Sequence, residues 1–243
     1  MTSSWFESFF ETDEWLLLAT TVDAERTERE VSFVADQLPA AGHVLDLACG
    51  TGRIAVPLAA RGFTVAGLDI SERALAVARE HGPELDLRHG DMRELPWADE
   101  TFDAVINLWT AFGYFATRGE DERAVAEAAR VLRPGGLFLI DTVNPAGLHR
   151  AYRPESWREL EGGVFMLERR EVDLPTGRAH AHWVFLNGGE RRELRFDHRL
   201  YSPVEYAELF RAAGLEPVRW FGGFDGSELG LDSWRLVAVA RKR

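Results

Sequence analysis

Apolar residues fall in short runs for much of the chain, with helical-period stretches between them. Residues 44–47, 63–69, 85–88, 102–108 and 137–143 are largely apolar and bounded by turn residues, as strands covered on both faces are. Segments 54–61, 71–79 and 120–132 carry apolar residues at helical spacing, and the last stops at Arg133-Pro134-Gly135-Gly136. This alternation predicts an α/β domain built on a mostly parallel sheet with helices on both faces. Two helical patterns precede the first strand: an aromatic-rich one over 4–20 and a second over 25–38, with Val31, Val34, Ala35 and Leu38 on one face. Lying before the sheet, they cannot be crossovers. They are expected to form a cap or a lid.

Residues 144–200 break the alternation. Stretches 164–174, 178–186 and 190–201 read as strands, separated by the turn sequences Pro175-Thr176-Gly177 and Asn187-Gly188-Gly189. An inserted antiparallel sheet of three strands is expected. In its third strand Leu194, Phe196, His198 and Leu200 share one face, leaving the other for a partner, a second subunit in a homodimer, or the substrate. A helix over 204–213 stops at Gly214, and 216–221 pairs antiparallel with 234–241 to close a seven-stranded sheet whose last strand is antiparallel. The expected domains are a helical cap (1–40), a Rossmann-like domain (41–149 and 202–243) and the inserted sheet (150–201).

Composition narrows the function classes. The 46% hydrophobic fraction of these 243 residues supports a core, and the net charge of −12 disfavours nucleic acid or an anionic membrane as partner. The one cysteine, Cys49, cannot form an internal disulfide, which suits a cytoplasmic location. No apolar run is long enough to span a bilayer, and the N-terminus has no signal-peptide pattern.

The chemistry-bearing stretch is Val44-Leu45-Asp46-Leu47-Ala48-Cys49-Gly50-Thr51-Gly52-Arg53. It reads as strand, glycine turn and helix start. Gly50 and Gly52 let the backbone turn sharply and bare it to a ligand. Asp46 is costly within an apolar strand unless paired. Gly50, Gly52 and Ala55 also satisfy the dinucleotide pattern G-x-G-x-x-G/A, so this stretch alone leaves a nicotinamide cofactor open. Asp69 follows the glycines by about 20 residues, the spacing at which an acidic side chain takes ribose hydroxyls.

Asp-Leu-Ala-Cys-Gly-Thr-Gly-Arg resembles the first motif of class I S-adenosylmethionine (SAM) dependent methyltransferases, and Asp69-Ile70-Ser71 resembles the second. Val-Leu-Arg-Pro-Gly-Gly before the fifth strand and the closing antiparallel hairpin resemble the same family. The resemblance implies that SAM is the cofactor, with S-adenosylhomocysteine as product. Asp46, Ala48, Gly50, Gly52 and Arg53 would form the loop around it, with Asp69 on the ribose and Ile70 on the adenine. Asp91 would accept the exocyclic amine, the Met92 backbone would reach a ring nitrogen, and Asn107 would meet the methionine part. The N-terminal helices would cover the cofactor.

The implied reaction is methyl transfer to an N, O or C atom of a small molecule. RNA- or protein-directed transfer, or SAM binding without catalysis, are the competing classes. Trp109, Phe112, Tyr114 and Phe115, with Trp5, Phe6 and Phe9, are expected to wall an apolar substrate pocket. A base is needed only if the nucleophile must lose a proton to react; Tyr114, His149, His198, Tyr201 and Asp225 are the candidates. His180 and His182 share a strand face but lack a third ligand at metal-site spacing, so no metal is expected.

Overall fold

A computed structural model describes residues 5–243; Ser4 and the start of the expected cap lie outside the described residues. The N-terminal region forms three helices, α1 (Trp5–Phe10), α2 (Asp13–Thr20) and α3 (Ala24–Gln37). Thr12 and Asp23 cap α2 and α3 by accepting backbone N–H groups of Trp15 and Arg26. The alternating core follows as β1 (His43–Leu47), α4 (Ala55–Ala60), β2 (Thr64–Asp69), α5 (Glu72–His81), β3 (Asp86–His89), β4 (Phe102–Asn107), α6 (Arg118–Val131) and β5 (Leu132–Val143). After α7 (Pro145–Arg150) come β6 (Glu155–Leu160), β7 (Val164–Asp173), β8 (Arg178–Asn187) and β9 (Glu190–Arg199). The chain ends with α8 (Pro203–Ala212), β10 (Leu215–Phe221) and β11 (Arg235–Lys242).

The main sheet has the order β10-β11-β5-β4-β1-β2-β3. Strands β1 to β5 are parallel, and β11 runs antiparallel to both its neighbours. Successive side chains of a strand point to opposite faces. Accordingly Leu45 and Leu47 join one core with Val125 and Ala128 of α6 and Leu209 and Phe210 of α8. Val44 joins the other core with Val31 and Val34 of α3 and Leu58 of α4. Burial on both faces is why these strands read as continuous apolar runs.

The second sheet corrects the expected count: it has four strands, in the order β6-β7-β8-β9. The extra strand, β6, is an exposed edge with the sequence Glu-Ser-Trp-Arg-Glu-Leu. Main-chain pairing from Glu155↔Arg169 to Leu160↔Val164 makes it a strand, and no alternation of side chains announces it. A smaller shift affects β5. It starts at Leu132, and residues 133–136 bulge between the pairs Phe102↔Leu132 and Ala104↔Leu137. Proline disfavours helical backbone at the residue before it, so the chain is already extended on reaching Pro134.

The inserted sheet presents Val164, Met166 and Phe185 to α2, where they pack with Leu17 and Leu18. Its other face leaves Trp157 71% exposed, beside Phe165 and Leu167. Two backbone-directed bonds tie the sheet over the carboxyl end of β4. The Arg199 N–H donates to the Gly113 carbonyl at 2.8 Å, and Arg178 Nη1 donates to the Phe115 carbonyl at 3.1 Å.

Gly113 has φ +97°, and a Cβ there would lie 2.7 Å from the Arg199 carbonyl oxygen. Gly113→Ala should therefore cost roughly 1–3 kcal/mol from backbone strain, plus the displacement of β9. For a chain of this size that lowers Tm by at least about 2–4 °C, read by thermal melting. An unchanged melting curve would mean that this junction is not tight.

Candidate functional site

A cavity of about 380 Å³ opens at the carboxyl ends of the parallel strands, where open α/β sheets place ligands. Three parts of the chain wall it. The core contributes Ala48, Asp69, Ile70, Asp91 and Met92, together with Trp109, Thr110, Ala111, Tyr114 and Phe115. The N-terminal helices contribute Phe6, Phe9, Phe10, Trp15, Leu18 and Arg26. The inserted sheet adds Arg158, Trp183 and Phe196. Rings from all three parts touch: Phe9 lies 5.1 Å from Phe196, and Phe10 lies 5.5 Å from Tyr114.

Asp69 is the polar anchor at the core end. Its two oxygens accept the backbone N–H groups of Gly50 at 2.7 Å and Ser71 at 2.8 Å. Burial pushes its carboxyl up to about 6, even though the Ser71 and Gly50 hydrogen bonds favour the charged form. A carboxylate has about four lone-pair positions, so Asp69 keeps acceptor capacity for hydroxyl donors. Asp46 is buried beside it, and burial together with the Asp69 charge pushes it up to about 8. The two carboxyls therefore share close to one negative charge at neutral pH. Gly50 and Gly52 both have positive φ, and a Cβ on Gly52 would press against Ala78 and Val56 at 3.1 Å. The left-handed turn keeps this loop thin.

The remaining expected residues divide by position. Asp91 lines the cavity but is ion-paired, accepting the Arg93 backbone N–H at 2.8 Å and its guanidinium as well. Asp46, Gly50, Gly52, Arg53 and Asn107 are not among the residues that line the cavity. Asn107 Nδ2 donates to the Leu47 carbonyl at 3.0 Å, while its Oδ1 is buried without a partner. Trp5 sits behind the wall, 5.9 Å from the Tyr114 ring. Phe112 turns into the core, 5.7 Å from Tyr201 and 6.0 Å from Tyr206.

Of the five base candidates only Tyr114 lines the cavity, and burial raises its phenol well above the ordinary range. His198 lies directly behind it, 5.7 Å ring to ring, with both ring nitrogens buried and unpartnered. Burial, reinforced by Arg170 and Arg178, depresses His198 to about 4, so it is neutral at pH 7. Tyr201 donates to buried Asp121 at 2.8 Å. His149 and Asp225 are exposed and away from the cavity. His182 pairs with Glu193 on the inserted sheet, and no metal-ligating group of three forms among the described residues.

Arg26, Trp15, Arg158 and Trp183 also line the cavity, and no local sequence pattern marks them as site residues. Arg26 carries the faintest trace, a cation in the first turn after an Asp cap; the others reach the cavity only through tertiary packing. Arg26 and Arg53 bracket the Trp109 ring, at 4.4 and 4.2 Å from its centroid. The Trp109 indole N–H donates to Glu30 at 2.7 Å, and Glu30 also holds both arginines. Burial works against the Glu30 charge, but Arg53 and these hydrogen bonds outweigh it and hold its carboxyl below the usual value.

Residues 44–136 match the family model described as a methyltransferase domain. The chain is 36% identical over 217 residues to the dTDP-3-amino-3,4,6-trideoxy-alpha-D-glucopyranose N,N-dimethyltransferase of Streptomyces venezuelae, covering 82% of this chain and 88% of that protein. The structure of the CcbJ methyltransferase from Streptomyces caelestis superposes with a TM-score of 0.80 at 29% identity, covering 89% of each chain. A SAM-bound amino pentose methyltransferase from Micromonospora echinaspora superposes at 0.68 with 27% identity, covering 90% of this chain and 91% of that one. No helix among the described residues is long and apolar enough to cross a membrane. The glycine loop, the Asp69 anchor, the strand order and these matches agree: the chain belongs to the class I SAM-dependent methyltransferases.

Proposed function

We propose that the chain methylates an amine nitrogen on a small, sugar-like molecule bound between Tyr114 and the inserted sheet. The observation that carries this reading is the ring-lined acceptor end of the cavity, formed by Phe9, Tyr114, Trp183 and Phe196. It is supported by the 36% identity to a dimethyltransferase whose acceptor is an amino sugar.

The cofactor fits the donors present. Asp69 would accept the ribose diol, Ile70 and Met92 would flank the adenine, and Asp91 would reach its amine while remaining paired with Arg93. The left-handed Gly50–Gly52 turn would run past the amino-acid portion, with Asn107 Oδ1 as a nearby acceptor. Bound SAM supplies a methyl already activated on a sulfonium.

The residues' own work is modest. Apolar rings penalise an ammonium by desolvation and lower its pKa from its value in water, so the nucleophile is held as the free base. The same ring faces attract the positive charge that the nitrogen carries after transfer. Tyr114, kept neutral by burial, can hold the amine through one hydrogen bond. No strong base is required, which suits a wall on which His198 stays neutral and recessed. Positioning of this kind contributes about 7–11 kcal/mol to barrier reduction. We read residues 5–40, the described part of the expected cap, as the cover over this space and 150–201 as its acceptor wall. Nucleic acid is not the expected acceptor, because the net charge of −12 repels a polyanion.

Two measurements test this reading. The first is the pH dependence of S-adenosylhomocysteine affinity by calorimetry. Asp69 ionises at about 6 in the free protein, and diol donors favour its charged form. Affinity should therefore be level above pH ~7 and fall by up to about tenfold per unit below pH 6. Asp69→Ala should weaken binding at pH 7.5 by at least about tenfold, since each charge-assisted bond is worth roughly 1.5–3 kcal/mol. Unchanged affinity in the variant would remove Asp69 from the cofactor site. The second is methyl transfer from labelled SAM to amino sugars free and nucleotide-linked, to their hydroxyl counterparts, and to bulk RNA. Labelling should follow the amine; equal labelling of the hydroxyl compounds, or of RNA, would reject the proposal.

A further inference from the structure

Trp109 and Thr110, in the cavity wall just after β4, both have left-handed backbone, with φ of +62° and +58°. Two consecutive non-glycine residues there are unfavourable, because Cβ crowds the following carbonyl oxygen. Something must hold them, and the hydrogen bonds name it. One Asp141 carboxylate oxygen accepts the Trp109 N–H at 2.9 Å, and the Asp141 main-chain carbonyl accepts the Thr110 N–H at 3.0 Å.

Asp141 is fully buried near the carboxyl end of β5. Its charge is met from β11 by Arg235, whose Nε donates to Oδ1 at 2.7 Å and whose Nη2 donates to Oδ2. The fork is two-pointed, so it fixes the carboxylate plane as well as its charge. Strand pairing sets both ends, since Val237 of β11 lies opposite Asp141 and Arg235 lies opposite Val143. Beyond the turn, the Trp109 ring is fixed to α3 through Glu30. With the left-handed pair in place, Trp109, Thr110 and Ala111 face the cavity while Phe112 turns into the core.

We propose that Asp141, clamped by Arg235, is a positioning residue that keeps Trp109–Thr110 in left-handed backbone and thereby shapes this wall of the methyl-transfer cavity. Its carboxylate acts through the Trp109 amide, beside the main-chain bond to Thr110, and it is absent from the cavity lining. The proposal is independent of which acceptor the chain uses, and so is its test.

The test is hydrogen exchange by mass spectrometry on the whole chain, reading the segment 108–115 against segments of β1 and β2. Asp141→Asn should accelerate exchange in 108–115 by about tenfold or more and leave β1 and β2 unchanged. Adding Thr110→Gly should restore most of the protection, because glycine takes left-handed backbone without strain. A purely structural ion pair would not be rescued this way. Arg235→Lys keeps a cation but loses the fork, and should give a smaller acceleration in the same segment. If Asp141→Asn does not fold, Arg235→Lys alone decides the matter. Unchanged exchange in the folded single variants, or no recovery on adding glycine, overturns the proposal.

Discussion

The bond between the Asp69 carboxylate and the Gly50 N–H is the constraint on which the site depends. It joins the end of one parallel strand to the glycine turn that follows its neighbour, and the Cys49 N–H adds a second tie to the Leu68 carbonyl at 3.1 Å. A buried carboxylate is tolerable there because backbone donors meet it, and because Asp46 beside it retains its proton near neutrality. Capacity left over on Asp69 then belongs to whatever enters the cavity. One side chain thus closes the loop and, in the proposed role, receives the cofactor.

The rest of the site is assembled from distant parts of the chain by packing. Phe9 from the N-terminus, Tyr114 from the loop after β4 and Phe196 from the inserted sheet meet as rings, and each covers apolar surface the others would expose. Glu30 and Asp141 hold the same loop, one carboxylate through the Trp109 indole and the other through the Trp109 backbone amide. Both carboxylates are buried and both are paired with arginine, so each is costly to break even if the intact pair adds little net stability.

What was legible in the sequence follows from how each feature is encoded. Strands of the main sheet are covered on both faces, so Val44 to Leu47 and Phe102 to Leu108 carry the signal in their own residues. The glycine loop and Asp69 were legible because backbone conformation and a fixed spacing restrict the residue types allowed. β6 was not legible: its residues are solvated, and its partner strand supplies what makes it a strand. Phe112 was expected in the crevice with Trp109 and Tyr114. A ring count carries no direction, and the left-handed turn at Trp109–Thr110 decides which rings face the cavity. The Asp141–Arg235 pair joins residues 94 apart in sequence, a relation that no local pattern records.

In the proposed function a single cavity holds the cofactor at its Asp69 end and the acceptor between Tyr114 and the inserted sheet. A crystal structure of the chain with S-adenosylhomocysteine decides whether it does. Ribose hydroxyls are expected within hydrogen-bonding distance of Asp69, the adenine between Ile70 and Met92, and the sulfur directed toward Tyr114 and Phe196. A cofactor lying outside this cavity, or one whose sulfur points away from the ring-lined end, would contradict it.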